Sequence, residues 1–585
     1  MKTDVSEQIT LHGIAASPGI AIGPFCIFAG HKLNIEEHSL KLKDLDDEVQ
    51  RFREAVAASR RDLLRSRDLV ISQQNDEIAE ILDGQIALMG DEIFLQEIVS
   101  KIIENRKNAE SVVFAIFRER QEYFHNLESE YFRDRAWDLK ALKKLIIAKL
   151  QGNEINYHIN DYAIIAAHDL APNDTVNFDR KKILGMVVET GGKTSHSAIL
   201  ARSLEIPCVV GVPNLMTAIG EAGTMIIDGR SGDVIIHPEP EVLEDYKARK
   251  KHYEKIESDL LQESIMPVQS CCGENVELLA NLELSDEIQA VRHVGAKGIG
   301  LLRTEGLFFE AHGLPEEEEQ FGWYDKIARA MLPHPVTIRT MDFGGDKAIP
   351  AIVFPAEDNP FLGWRAIRFS LDSPNLFKIQ LRAILRASRH QNVRIMLPFI
   401  AAVSEVTRSL ELIETCKAEL LAENLVFDEA VKVGIMIETP AAAMMTDLLA
   451  EEVDFFSIGT NDLTQYALAV DRGNEKIASL YDHFNPGVLR LIRQTIESAE
   501  KTGTPVSMCG EMAGDPLAIV PLLGMGLRSF SAAPIMLPSI SKIIRETNIA
   551  EASRVTEDIF KLRNTSAIKA YLTEYAETHF RDFLF

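Results

Sequence analysis

Two short apolar runs decide the fold: Val433-Gly434-Ile435-Met436-Ile437-Glu438 and, after a helical stretch, Phe455-Phe456-Ser457-Ile458-Gly459-Thr460-Asn461-Asp462. Each run has the length and composition of a buried strand, and each leads into an acidic residue. Working outward, the same rhythm of short apolar run and helical stretch repeats in both directions. The predicted strands are Val276–Asn281, Gly298–Arg303, Val336–Thr340, Val393–Leu397, Val433–Ile437, Phe455–Ile458, Val506–Cys509 and Ser529–Ala532. Eight strands alternating with helices predict a (β/α)8 TIM barrel. Arg303, Arg339, Glu438, Asn461, Asp462 and Cys509 fall at or just after strand ends, the face on which this architecture carries its sites.

The first part of the chain reads differently. Leu11–Phe25 has short apolar runs broken by Gly and Pro, which is strand-and-turn composition. From about Ser39 to Lys149, apolar residues recur at helical spacing among many charges; Leu45, Val49, Phe52, Val56, Ile78, Ile81, Ile86 and Leu88 are examples. That pattern predicts a bundle of amphipathic helices. Strand signals return at Tyr162–Ala167, Gly185–Glu189, Cys208–Val210, Thr224–Asp228 and Asp233–His237. The expected organisation is an α/β domain at 1–30 and 150–237, a helical bundle inserted at 31–149, a linker helix at 238–264 and the barrel at 265–585.

The net charge of −26 excludes the basic footprint of a nucleic-acid binder and opposes attraction to an anionic membrane. It suits either a partner with a basic face or simple solubility. No stretch has the length and apolarity of a membrane span, and the first residues lack a signal-peptide core. Six cysteines in 585 residues do not make a disulfide scaffold. Cys271-Cys272 is a vicinal pair with no second pair at zinc spacing. The expected location is the cytoplasm.

The segment Glu189-Thr190-Gly191-Gly192-Lys193-Thr194-Ser195-His196-Ser197-Ala198-Ile199-Leu200-Ala201-Arg202 places a histidine after a glycine-opened turn, at the start of a helical run. Imidazole is nucleophilic near neutral pH, and backbone N–H groups at a helix start can stabilise a phosphate. His196 is the candidate phosphate carrier.

That segment resembles the phosphohistidine segment of phosphoenolpyruvate-utilising enzymes, most closely those of the Enzyme I type in the bacterial sugar phosphotransferase system. The likeness extends through Leu204–Gly211, Gly298–Glu305, Arg339–Lys347, Asn359–Arg368, Glu438–Ala442, Gly459–Tyr466 and Met508–Glu511, in the family's order. It implies a swivelling α/β phosphohistidine domain with an inserted helical bundle that docks a carrier protein. It also implies a barrel that binds phosphoenolpyruvate and forms a homodimer. The substrate is a small molecule bearing a carboxylate and a phosphate, and arginine forks suit both groups; the resemblance assigns Arg303, Arg339, Arg365 and Arg472 to them. Glu438 and Asp462 are the implied magnesium ligands, with Asn461 and Asp462 at the substrate. Cys509 is the implied proton donor to the enolate carbon. Thr175 is either an orienting partner of His196 or a helix N-cap. Gly306 and Pro534 depart from the family's usual residues.

The implied reaction moves phosphate from phosphoenolpyruvate to His196 and on to a histidine of an HPr-like phosphocarrier protein, with Mg2+ and release of pyruvate. The alternatives are an enzyme of the phosphoenolpyruvate synthase or pyruvate phosphate dikinase kind, or a regulatory phosphorelay protein with little turnover.

Overall fold

The computed structural model describes residues 8–28, 35, 37–72, 82, 84–86, 88–125, 139, 142–152, 162–170, 182–192, 195, 197–198, 201, 206–220, 223–283, 287–310, 314–344, 357–472, 474 and 477–580. His196 and Thr175 lie outside the described residues. The chain divides into two compact units, Met1–Glu254 and Lys255–Phe585.

The first unit holds an eight-stranded mixed sheet. Its strands are β1 (Ile9–His12), β2 (Ile14–Ser17), β3 (Ile20–Phe28), β4 (Ala163–Ala167), β5 (Ile183–Val188), β6 (Cys208–Val210), β7 (Thr224–Asp228) and β8 (Asp233–Ile236), in the order β1-β8-β7-β3-β4-β5-β6-β2. β3, β4, β5 and β6 run parallel, and a parallel core needs cover on both faces. The sequence supplies it by period-two alternation. Ile164, Ala166, Val187 and Val209 face one core with Leu215 and Ile227. Ile165, Ala167, Met186, Val188 and Val210 belong to a second core shared with the helices.

Those helices include α1 (Leu45–Ser72), α2 (Glu92–Asn105) and α3 (Ala109–His125). Leu45, Phe52, Val56 and Leu63 are buried along α1, with Val49 packed beside them, as the helical spacing predicts. Ile86 is buried too, whereas Ile78 and Ile81 fall outside the described residues. Arg51 ties the bundle together through ion pairs to Glu48 and Glu110, each at 2.7 Å. The charged stretch after β8 is a single helix, α4 (Pro240–Ser264).

The second unit is a closed parallel barrel of β9 (Glu277–Leu282), β10 (Ile299–Leu302), β11 (Val336–Arg339), β12 (Val393–Leu397), β13 (Lys432–Ile437), β14 (Phe455–Ile458), β15 (Val506–Met508) and β16 (Ser529–Ala532). All eight predicted strands form, and β16 closes on β9 with Ala532 opposite Ala280. The strand that carries the unusual Ala533-Pro534 end is therefore intact. Strand alternation again sorts the residues. Leu302, Ile338, Ile395, Leu397, Ile435, Ile437, Ile458 and Met508 join the outer core beneath the helices. Leu301, Met396, Met436, Phe455 and Cys509 form a separate inner cluster. Arg339 and Glu438 share the parity of the inner set, so the period that buries the isoleucines outward aims these charges into the barrel. Among the described residues no helix is long and apolar enough to cross a membrane.

Candidate active site

Of the described residues in the second unit, six charged side chains are buried: Glu305, Arg339, Asp342, Arg365, Glu438 and Asp462. All six meet at the C-terminal end of the barrel strands. Arg339, the last residue of β11, pairs with Glu305 and lies 3.2 Å from Asp342. Arg365 lies 2.9 Å from the other oxygen of Asp342 and 3.1 Å from Asp462. Arg472, partly exposed, reaches the second Asp462 oxygen at 3.3 Å. Breaking one partner of such a buried pair costs about 3–5 kcal/mol, because it strands the other charge.

Each side chain has a local reason for its position. After β13, Thr439 caps the next helix by accepting from the Ala442 N–H at 3.1 Å. Pro440 stands at the first helical position, where its missing N–H is no loss. Glu438 is thereby fixed between strand end and helix start. Asp462 sits in the first turn of the helix Thr460–Leu468, where the dipole favours an anion. Gly459 precedes that helix, and a Cβ there would lie 2.8 Å from the Met436 methyl and 2.9 Å from Glu438 Oε2. Gly344 adopts φ +102, and a Cβ would meet Arg365 Cβ at 2.6 Å. Glycine at these two positions lets the backbone close around the charges.

Arg365 comes from a loop before the helix Ala366–Asp372 and is held on several sides. Its guanidinium donates to the Tyr466 hydroxyl at 2.9 Å and lies 4.6 Å from the centroid of the Phe399 ring, a cation–π contact. Phe399 takes a left-handed conformation, φ +60, which costs a non-glycine residue backbone strain. Its N–H donates to Glu438 Oε1 at 2.5 Å. The aromatic platform under Arg365 and the carboxylate of Glu438 are thus coupled through one backbone amide.

These groups share one field. Burial pushes Glu438 up to about 8, with Asp462 and Asp342 adding to the rise and Arg339 and Arg365 opposing it. Burial works against the Arg339 charge, yet Glu305, Asp342 and Glu438 hold its pKa above the ordinary value. The Cys509 thiol, 2% exposed, is pushed up to about 11 by burial and by Glu438, while Arg339 and Arg303 pull the other way. It keeps its proton at neutral pH. Below it, Asn281 donates to the Cys509 carbonyl at 3.0 Å and accepts from Ser531 at 2.7 Å.

The structure brings together Arg339, Arg365, Arg472, Glu438, Asp462 and Cys509. Asn461 adjoins them and is clamped by Glu511, whose N–H donates to its Oδ1 at 2.8 Å and whose carboxylate accepts from its Nδ2 at 3.0 Å. Arg303 is half-exposed at the rim and pairs with Glu283 at 3.1 Å. Glu305, Asp342, Tyr466 and Phe399 were given no role by the sequence reading. Glu305 and Asp342 do stand in the same short blocks as Arg303 and Arg339, two and three residues on, which was the available signal. Nε of Arg339 and Nε of Arg365 are buried without a hydrogen-bond partner among the described residues, so each arginine has capacity left for a ligand. No group of three or more His, Cys, Asp and Glu there forms a metal cage by itself.

In the first unit only the surroundings of His196 are described. Ser195 N–H donates to Gly192 O at 3.0 Å and Ala198 N–H to Ser195 O at 2.9 Å, which is the tight turn the glycine pair predicts. Glu189, at the head of the segment, pairs with His168, a histidine that carried no motif.

Three family descriptions match the sequence in succession: PEP-utilising enzyme, N-terminal, over residues 12–135; PEP-utilising enzyme, mobile domain, over 159–232; and PEP-utilising enzyme, PEP-binding domain, over 259–549. The chain is 38% identical to the phosphoenolpyruvate-protein phosphotransferase of Haemophilus influenzae, across 97% of this chain and 99% of that protein. It is 39% identical to those of Geobacillus stearothermophilus (97% and 98% covered) and Bacillus subtilis (96% and 99% covered). With likeness that runs through nearly the full length of each protein, and a barrel that ends in a buried knot of arginines and carboxylates, the chain belongs to the PEP-utilising enzymes, among the phosphoenolpyruvate-protein phosphotransferases.

Proposed function

We propose that the chain takes the phosphoryl group of phosphoenolpyruvate onto His196 and delivers it to a histidine of an HPr-like carrier protein, in the cytoplasm and as a homodimer. The observation that carries the reading is the buried charge knot, in which all six buried charges described in the barrel unit gather at the catalytic end of one barrel. The naming of relatives matched along their full length favours this protein-directed reaction over the ATP-dependent alternative.

In this reading Arg339 and Arg365 hold the substrate's phosphate and carboxylate from below, and Arg303 and Arg472 close over it from the rim. Asn461, its amide orientation set by Glu511, hydrogen-bonds the substrate. The knot contains four carboxyls against two guanidiniums, and Glu438 is driven toward its protonated form. That donor set fits a hard divalent cation, Mg2+, held by Glu438 and Asp462 and completed by substrate phosphate and water. When bound, the cation offsets charge on the transferring phosphoryl group. The histidine ring nitrogen attacks phosphorus, the bridging P–O bond breaks and enolpyruvate leaves. Cys509, neutral at physiological pH, donates its proton to the enolate carbon and regains one from solvent. Thr175 orients the His196 ring.

The domain division expected from the sequence serves this cycle: the α/β domain at 1–30 and 150–237 carries the histidine, the bundle at 31–149 docks the carrier, the helix at 238–264 links the halves, and 265–585 binds substrate and dimerises. Sedimentation equilibrium over a concentration series tests the dimer, and a strict monomer at high concentration with full activity contradicts it. The deciding experiment is incubation with 32P-labelled phosphoenolpyruvate, with and without Mg2+ and carrier. The expected label is acid-labile, base-stable, metal-dependent and passed to the carrier. Equal labelling of His196→Ala overturns the assignment.

A further inference from the structure

Between α4 and β9 the chain makes a narrow hairpin. Gln269 bridges Asn275 in antiparallel register. Ser270 N–H donates to Glu274 O, and Gly273 N–H to Ser270 O, both at 2.9 Å. Cys271 and Cys272 are the two central residues of this turn, and both are exposed free thiols. The hairpin leads into the start of β9, so it belongs to the N-terminal end of the barrel, opposite the rim that holds Arg339 and Glu438.

Cys272 has the surroundings of a nucleophile. Ser270 Oγ lies 3.1 Å from its Sγ. The backbone of Ile549, first residue of the helix Ile549–Lys561, also favours the thiolate of Cys272. Hydrogen-bond donors and the positive end of a helix dipole favour the thiolate, and the Cys272 pKa lies below the ordinary thiol value, with the Ser270 hydrogen bond as the leading cause. A second thiol, Cys271, stands at the preceding residue.

We propose that Cys271-Cys272 is a thiol–disulfide exchange site for low-molecular-weight disulfides, with Cys272 the attacking thiolate and Cys271 the resolving thiol. The Cys272 thiolate attacks one sulfur of a disulfide RSSR; a Cys272–SR bond forms, the S–S bond breaks and RS⁻ leaves. Cys271 loses its proton to solvent and attacks Cys272 Sγ. The Cys271–Cys272 bond forms and a second RS⁻ leaves. The pair is oxidised by two electrons, and RSSR is reduced to two thiols. Adjacent Cα atoms lie about 3.8 Å apart across a trans peptide, below the usual span of roughly 4.4–6.8 Å for a disulfide. The bridge is therefore strained and easily reduced, which makes the exchange reversible.

The test uses the full chain with the other exposed cysteine removed, Cys26→Ser, and the chromogenic disulfide dithiobis(nitrobenzoic acid) at pH 7. The expected result is rapid release of two aromatic thiolates per chain with no adduct retained, and peptide mapping that finds Cys271 bridged to Cys272. Adding Cys271→Ser is expected to stop the reaction at one thiolate and leave a stable adduct on Cys272. Adding Cys272→Ser is expected to slow the fast phase at least about tenfold. A fast phase that survives Cys272→Ser overturns the proposal. So does an unsubstituted pair that retains the adduct, or a map without the bridge.

Discussion

The barrel rim and the histidine segment are built on opposite plans. The rim is assembled from afar: Arg339 meets Glu305 from 34 residues away, Arg365 meets Asp462 from 97, and Asn281 meets the Cys509 carbonyl from 228. Its parts converge only because eight strands close a barrel. The histidine segment is one contiguous stretch, Glu189–Arg202, in which Ser195 N–H bonds Gly192 O and Ala198 N–H bonds Ser195 O, while Glu189, Thr190 and Ser197 bond the nearby His168 and Leu170 or the loop after β6. A convergent site is held by many mutual contacts, so it is stiff, and its charges are tuned by one another. A contiguous segment, in the function proposed above, rests its chemistry on the single residue His196, so that role does not depend on side chains converging from distant strands.

The sharpest break in that comparison is to separate the two units. The first has its own sheet and cores, so a fragment ending at Glu254 is expected to fold alone. It should exchange phosphate with phosphorylated carrier and take none from phosphoenolpyruvate. A fragment starting at Lys255 should bind phosphoenolpyruvate and metal without becoming labelled. Isotope transfer and calorimetry read both outcomes, and the effect is all-or-none. Direct labelling of the N-terminal fragment by phosphoenolpyruvate would remove the division of labour.

Next in size are single substitutions in the knot. Arg339→Lys keeps the charge but loses the fork that faces Glu305 and Asp342, and Glu438→Ala removes a proposed metal ligand. Losing one such element of charge stabilisation costs about 10²–10³ in turnover. Phosphate exchange between His196 and the carrier is expected to stay normal in both variants. Steady-state pyruvate release and the exchange assay separate the two, and near-normal turnover in both variants would dismiss the clamp.

The same contrast explains what the sequence disclosed. The eight strands and the inward parity of Arg339, Glu438 and Cys509 follow from alternation alone, since their neighbours Ile338, Ile437 and Met508 must face the helices. The histidine segment stands out as a motif because it is local, although His196 itself lies outside the described residues. The depth of Arg365 was not legible, because it sits on a loop and its burial depends on Phe399, Tyr466, Asp342 and Asp462 arriving from elsewhere. No periodicity marks Phe399 as a left-handed residue. Arg303 at a strand end looked equivalent to Arg339, yet it stays at the exposed rim with Glu283, one position beyond the end of β10.

A smaller effect probes how tightly the rim is packed. Gly459→Ala places a methyl 2.9 Å from Glu438 Oε2 and 2.8 Å from Met436. Overpacking of this kind costs about 1–3 kcal/mol, and here it pushes on a proposed metal ligand. The expected variant folds with a modestly lowered Tm and needs more metal for half-maximal turnover. An unchanged metal requirement would show that Glu438 tolerates displacement and is not held as tightly as its contacts imply.

The smallest effect is one of protons. In the metal-free protein Glu438 is raised to about 8 by burial, with Asp462 and Asp342 adding to it, whereas an unfolded chain gives a glutamate near ~4.3. The raised group favours the folded state when protonated. Its contribution to stability is full below the unfolded value and is lost as pH climbs through about 8. A metal needs the carboxylate, so binding below that pH must expel the proton. At pH 7 the barrel is expected to release about one proton per metal bound. Metal affinity should rise about tenfold per pH unit until it levels off near pH 8. Calorimetry in buffers of different ionisation enthalpy counts the proton at pH 6, 7 and 9. Glu438→Gln is expected to abolish the release and flatten the pH dependence, and the fragment ending at Glu254 should show neither. If the intact protein releases no proton at pH 7, or Glu438→Gln releases as many, the proton does not come from Glu438. The excess of acid in the knot would then have to be balanced by a group other than the one most strongly perturbed there.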